Sequence, residues 1–232
     1  MKNEILLILN LIVCYSMVLI WMKLFGKKGL MGFTCFATIA ANIEVLILVE
    51  AFGMEQTLGN VLFAATFLIT DILSEVYSKE EANKAVNMGI LTTVCFVLIS
   101  QWWLHYIPSP NDVMFEHIKA VFSNTPRVML SSLVVYAIVQ KFDVWIYHKI
   151  WNITNKKGNK DKYLWLRNNG STLCSQFLNS VLFNLLAFGG LYDGKTLWSI
   201  IISSYAIFIV TSLADTPFVY MARKMYRKYE ID

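Results

Sequence analysis

The sequence predicts an all-α polytopic membrane helical bundle, with a six-helix core plus an extra N-terminal transmembrane helix, about seven helices in total. Three observations predict it. Apolar residues make up 56% of the 232-residue chain and charged residues only 16%, against about 25% charged in soluble domains. Seven apolar segments follow one another with short polar breaks between them. The basic residues gather on alternate breaks, as the topology of a membrane chain requires. A soluble fold with this composition and a mean hydropathy of +0.52 would expose patches that aggregate. At ~20 residues per crossing, no separate soluble domain fits.

The segments fall at about 5–25, 30–51, 57–77, 85–107, 126–150, 168–190 and 196–222. A short amphipathic stretch, 111–123, follows the Pro108-Ser109-Pro110 break. The first segment has one preceding lysine and no small-residue cleavage site, so it reads as a retained helix. The expected organisation is one transmembrane domain over 1–232. Within it, 1–28 form the extra helix and 29–228 the six-helix core.

The charges test this map. One set of breaks holds Lys23, Lys27, Lys28, Lys79, Lys84, Lys149, Lys156, Lys157, Lys160, Lys162, Arg167, Arg223, Lys224, Arg227 and Lys228. The other holds Lys2, Lys119, Arg127 and Lys195, with Lys141 inside the fifth helix. Fifteen against four places the first set in the cytoplasm of a plasma-membrane protein. The amino terminus is then outside and the carboxy terminus inside, which needs an odd number of crossings. The clustered charges read as topology signals, so no nucleic-acid partner is expected. Trp102, Trp103 and Tyr106 at one helix end, and Trp145, Tyr147 and Trp151 at another, read as interfacial aromatic belts.

Polar residues inside the segments carry the functional signal. A charged residue at mid-membrane costs roughly 2.5–3.5 kcal/mol on insertion scales, so it stays only if it pairs, faces the bundle interior or lines a water path. The third segment holds Thr66, Thr70, Asp71, Ser74, Glu75 and Tyr77. Asp71 and Glu75 are four apart and share a helix face. Two close carboxylates disfavour double ionisation, which suits a proton site or the recognition of a donor-rich substrate edge. Pairing of Glu75 with Lys79 one turn on is the structural alternative. The second segment places Asn42 and Glu44 near its middle, with Glu44 the deepest acid. The sixth opens with Arg167-Asn168-Asn169-Gly170-Ser171-Thr172, where Asn and Ser suit a helix start. Thr172, Gln176 and Asn179 then form a stripe on one face, either a cavity wall or a set of interhelical hydrogen bonds. The seventh holds Asp215 beside Pro217, a pattern of broken transporter helices. Asp143 and Lys141 read as a boundary pair. The candidate substrate-binding residues are therefore Asn42, Glu44, Thr70, Asp71, Ser74, Glu75, Thr172, Gln176, Asn179 and Asp215.

Other chemistries lack their motifs. There is no HExxH, GxSxG or P-loop pattern. Cys14, Cys35, Cys95 and Cys174 form no CxxC pair and read as small buried packing residues. His105, His117 and His148 have no ligand spacing, so no metal or other cofactor is expected.

The stretch from Thr66 to Tyr77, followed by Lys79 and Lys84, resembles the signature of the queuosine precursor transporters, also called the vitamin-uptake-transporter family. Arg167 to Thr172 with Ser175-Gln176, and Asp215-Thr216-Pro217-Phe218-Val219-Tyr220, resemble two further stretches of that family. The resemblance covers about residues 33–225. It implies a non-enzymatic transporter that imports a 7-deazaguanine: 7-cyano-7-deazaguanine, 7-aminomethyl-7-deazaguanine or queuine. The expected partners are this small-molecule base and membrane lipid. Oligomeric state has no signature, and a homodimer is left open. The alternatives are a substrate-binding membrane subunit for a separate ATPase, a carrier of another small metabolite, and a membrane enzyme or scaffold. Two departures stand out. The family usually has six helices with both termini inside, and it often has an acid where this chain has Asn179.

Overall fold

The computed structural model describes residues 2–123, 126–155 and 162–229; Lys156, Lys157 and Lys160 of the basic loop lie outside them. Helix α1 covers Lys2–Glu44. Run straight, 43 residues would extend about 64 Å. Yet the Asn3 amide donates to the Glu50 carbonyl at 2.9 Å, and Glu4 accepts from the Phe52 amide at 3.4 Å. The helix is therefore folded back on itself. The hinge is Gly26, whose φ of 58° and ψ of −141° break the helical path in a region that favours glycine. Beyond it, Gly29 packs against the Trp21 backbone, and Trp21 meets Phe33 edge-to-face at 5.7 Å.

The second arm ends at Glu44, sooner than the apolar run to residue 51 suggests. Strands β1 (Leu48–Ala51) and β2 (Met54–Thr57) follow as an antiparallel hairpin. Its two turn residues, Phe52 and Gly53, both have positive φ (54° and 70°), as the tightest hairpin turn demands. Helix α2 (Gly59–Ile72) continues into a π-helical turn at Leu73–Tyr77. Helix α3 (Lys79–Trp103) begins at Ser78, whose side chain caps the Glu81 amide. Helix α4 (Phe115–Ser123) is the predicted amphipathic stretch and starts where Asp112 accepts from the Met114 and Phe115 amides. Helices α5 (Pro126–Asn155), α6 (Leu164–Phe188) and α7 (Gly194–Tyr229) complete the bundle. Helix α7 runs unbroken through Pro217, so the predicted helix break is not present.

Six of these helices are long and apolar enough to cross a membrane. With α1 doubled back, the bundle has the seven apolar rods that the sequence predicts. The protein is an all-α multi-pass membrane bundle, with α2 at its centre and largely buried. Around it, side chains such as Ile5, Leu9 and Ile12 on the first arm, and Leu91 and Leu98 on α3, point outward. That is where lipid solvates them. Cys95 and Cys174 also face outward; of the four cysteines only Cys14 is fully buried, which corrects the packing expectation.

Helix α6 is inverted. Ten of its twelve buried residues are polar, while Trp165, Phe177 and Leu185 face out. It begins at Leu164, four residues before the predicted start, and no side chain caps it. Asn168 and Ser171 therefore sit inside the helix, facing the core, and are not capping residues. Its other end is closed by Arg127, which donates to the carbonyls of Leu186 (2.8 Å) and Gly189 (2.6 Å). This satisfies groups that a helix terminus leaves open.

Candidate functional site

Helices α2, α5, α6 and α7 stack their polar residues in three layers, counted from the β-hairpin end. The first is a cavity of about 150 Å³. Aromatic rings of Phe63, Phe183, Phe188, Tyr192 and Phe208 wall it, and the amides Gln56, Asn60, Asn179 and Asn184 line it. This is the common make-up of a small-molecule site: mostly apolar, with a few placed polar groups.

The second layer is acidic. Asp71, Asp143 and Asp215 are each at most 1% exposed. Thr172 donates to Asp71 Oδ2 at 3.0 Å, and Asn168 donates to Asp215 Oδ1 at 2.6 Å. Asn169 reaches Thr216 Oγ1 at 2.7 Å. Asp143 faces Asp71, Ser171 and Ser175. Buried polar atoms without a hydrogen-bond partner gather here: Asp71 Oδ1, both Asp143 oxygens, the Ser74, Ser175 and Ser212 hydroxyls, and both ends of the Gln176 amide. Such groups are costly to bury without a partner, and their concentration makes this layer the candidate site.

The third layer is an ion-pair cluster. Arg167 grips Glu75 with two bonds of 2.7 Å, Nε to Oε2 and Nη2 to Oε1. Tyr147 donates to Glu75 Oε2 at 2.8 Å, and Arg223 lies 3.5 Å from Oε1. The Arg167 guanidinium stacks 4.3 Å from the Trp151 ring centroid. Its side chain is 1% exposed.

The predicted residues separate across these layers. Asp71, Ser74, Thr172 and Asp215 lie in or beside the acid layer. Gln176 and Asn179 continue the same face of α6 toward the cavity, which only Asn179 lines. The shared face of Asp71 and Glu75 is as predicted, but Glu75 is committed to Arg167 and not to Lys79, which is exposed. Thr70 faces α5, where it meets Gln140 Oε1 at 3.4 Å, while Gln140 donates to Thr66 at 2.6 Å. Asn42 is buried and bonds back to the Thr38 carbonyl. Glu44 is the last residue of α1 and half-buried near the β-hairpin, so it is not the deepest acid.

Four residues of these layers have other places in the sequence reading. Asp143 is fully buried while Lys141 is exposed, so they are not a boundary pair. Residues two apart on a helix do not face each other, a signal available from spacing alone. Arg167 is no loop charge, Tyr147 is buried and not interfacial, and Trp151 packs under Arg167. Among the described residues, no group of three or more His, Cys, Asp or Glu is placed to hold a metal ion.

Comparison with known proteins bears on this arrangement. A family model described as "Putative vitamin uptake transporter" matches residues 57–222. A Bacillus subtilis (strain 168) protein named "Probable queuosine precursor transporter" is 38% identical over 225 residues, covering 97% of this chain and 96% of that protein. No solved structure matches the chain.

Proposed function

This chain belongs to the vitamin uptake transporter family, and from that premise we propose that it imports a 7-deazaguanine precursor of queuosine as a secondary carrier. The observation that carries the reading is the path from the aromatic cavity to the acid layer. Asn179 lines the cavity, Gln176 follows with both amide ends unpartnered, and Asp71 has one unpartnered oxygen below. A 7-deazaguanine presents ring N–H and amino donors beside a carbonyl acceptor. Carboxylates take the donors, amides meet both kinds of group, and aromatic rings cover the flat faces.

The test uses cells that cannot make queuosine precursors and lack their own importer. Expressing this chain and supplying each 7-deazaguanine separately is expected to restore queuosine in transfer RNA with at least one. Failure with all of them, by an inserted and folded protein, would reject the substrate class or point to a missing ATPase partner. In the same assay Asn179→Ala is expected to raise the KM about 3- to 10-fold, the equivalent of one lost hydrogen bond. An unchanged KM would remove Asn179 from the substrate path.

The reading includes an orientation, with the β-hairpin and cavity facing outside and the ion-pair layer facing the cytoplasm. The basic residues around Lys23–Lys28 and Arg223–Lys228 support it. A tag at the amino terminus is then accessible from outside and one at the carboxy terminus only from inside. Two cytoplasmic tags would contradict this arrangement.

A further inference from the structure

The acid layer holds more carboxyl groups than cations. Among the described residues, the buried Arg167 and the half-buried Arg223 both pair with Glu75, and no ion pair reaches Asp71, Asp143 or Asp215. Asp215 is held by Asn168, and Asp71 by Thr172, each through one oxygen. Asp143, at 0% exposure, faces Asp71, Ser171 and Ser175, and neither of its oxygens makes a hydrogen bond of good geometry with them. Two carboxylates facing each other in a dry core repel strongly and lose their hydration. A single proton between them converts that repulsion into a hydrogen bond.

We propose that Asp71 and Asp143 together form a proton-binding site that couples substrate import to proton entry. The proposal rests on the transport reading above and adds its driving ion. Independent support comes from Ser175 and Gln176. Both are fully buried and their polar atoms lack partners. Ser175 faces Asp143. Gln176 lies one turn from Thr172, the donor to Asp71, and one turn from Asn179 in the cavity wall. This places exchangeable hydrogen-bonding groups between the carboxyl pair and the cavity. The proton enters from the cavity side, binds one carboxylate of the pair, and leaves as H⁺ on the opposite side; no other atoms or electrons change hands.

The other titratable groups around the pair leave it distinct. Tyr15 approaches from α1, Glu75 from the π-turn, Tyr147 from α5 and Asp215 from α7. Glu75 is already neutralised by arginine, and Tyr147 donates to it. The tyrosines bring no positive charge. Asp215 adds a third acidic group and no positive charge.

Purified protein in liposomes tests this, with tritiated 7-cyano-7-deazaguanine as an uncharged probe. An imposed gradient of one pH unit, acid outside, is expected to drive accumulation of up to about tenfold for one proton per substrate. Asp143→Asn is expected to lose the response to the gradient. Wild-type counterflow indifferent to the gradient would overturn the proposal and leave the transport reading standing. So would an Asp143→Asn variant that accumulates probe as the wild type does. Absence of wild-type counterflow would instead count against the substrate reading. Infrared spectroscopy then decides the proton site without any substrate. A protonated-carboxyl stretch at neutral pH, reduced in the Asp71→Asn/Asp143→Asn double variant, supports it; no difference between the two proteins overturns it.

Discussion

Replacing Arg167 with methionine is expected to destabilise the protein by about 3–5 kcal/mol, the cost of stranding a buried charge. The charge stranded is Glu75. It loses two bonds of 2.7 Å and keeps only Tyr147 and the longer Arg223 contact. The stacking of the guanidinium on Trp151 is lost as well. The diagnostic result is the rescue. Glu75→Gln added to Arg167→Met removes the stranded carboxylate, and the Gln carbonyl still accepts from Tyr147; Arg223, only partly buried, gives up its longer 3.5 Å contact. Replacing both partners of a buried pair is often neutral or stabilising. The double variant should therefore recover most of the loss, read as thermal stability in detergent. If it proves no more stable than the single variant, the ion pair is not what holds the third layer.

Gly29→Ala is expected to have an effect of similar size through sterics alone. A Cβ at this position would stand well inside contact distance of the Trp21 carbonyl and 2.9 Å from Phe25 Cβ. The obstacle is backbone, so no rotamer change relieves it. Overpacking usually costs about 1–3 kcal/mol and sometimes more, and a rigid obstacle belongs at the top of that range. The two arms of α1 must part to accept the methyl group. That would also disturb the Tyr15 hydroxyl, which donates to the Thr211 carbonyl at 3.2 Å, and the Tyr15 ring against Phe218. Thermal stability matching the wild type would show that the hinge adjusts freely.

The transmembrane rods were legible in the sequence because lipid leaves a long-range signature: runs of apolar residues separated by asymmetric charge. The common face of Asp71 and Glu75 was legible because helical spacing dictates it. What escaped depended on partners distant along the chain. Arg167 looks like one more loop cation until Glu75, 92 residues earlier, is seen to bond it. Glu44 looks central if its apolar run is taken as one helix. The run instead divides, because Phe52-Gly53 turns the chain into a hairpin. Asp143 was misassigned by adjacency to Lys141, where the spacing argued otherwise.

The polar interior of α6 has a consequence for how the protein is made. It is the least apolar of the six spans, and it carries Arg167 and a row of amides. A translocon offers such a segment weak reason to leave water unaided. Its stabilising partners are divided by the order of synthesis. Asp71, Glu75 and Tyr147 precede it in the chain, and Asp215 and Thr216 follow. Insertion of α6 is thus expected to depend on helices already in the bilayer, which meet Arg167 and Thr172. Its Asn168 and Asn169 side of the helix is completed only when α7 arrives. Biogenesis of this membrane protein is therefore expected to be cooperative at its sixth helix, with a fault in α2 or α5 showing first as an α6 that fails to integrate.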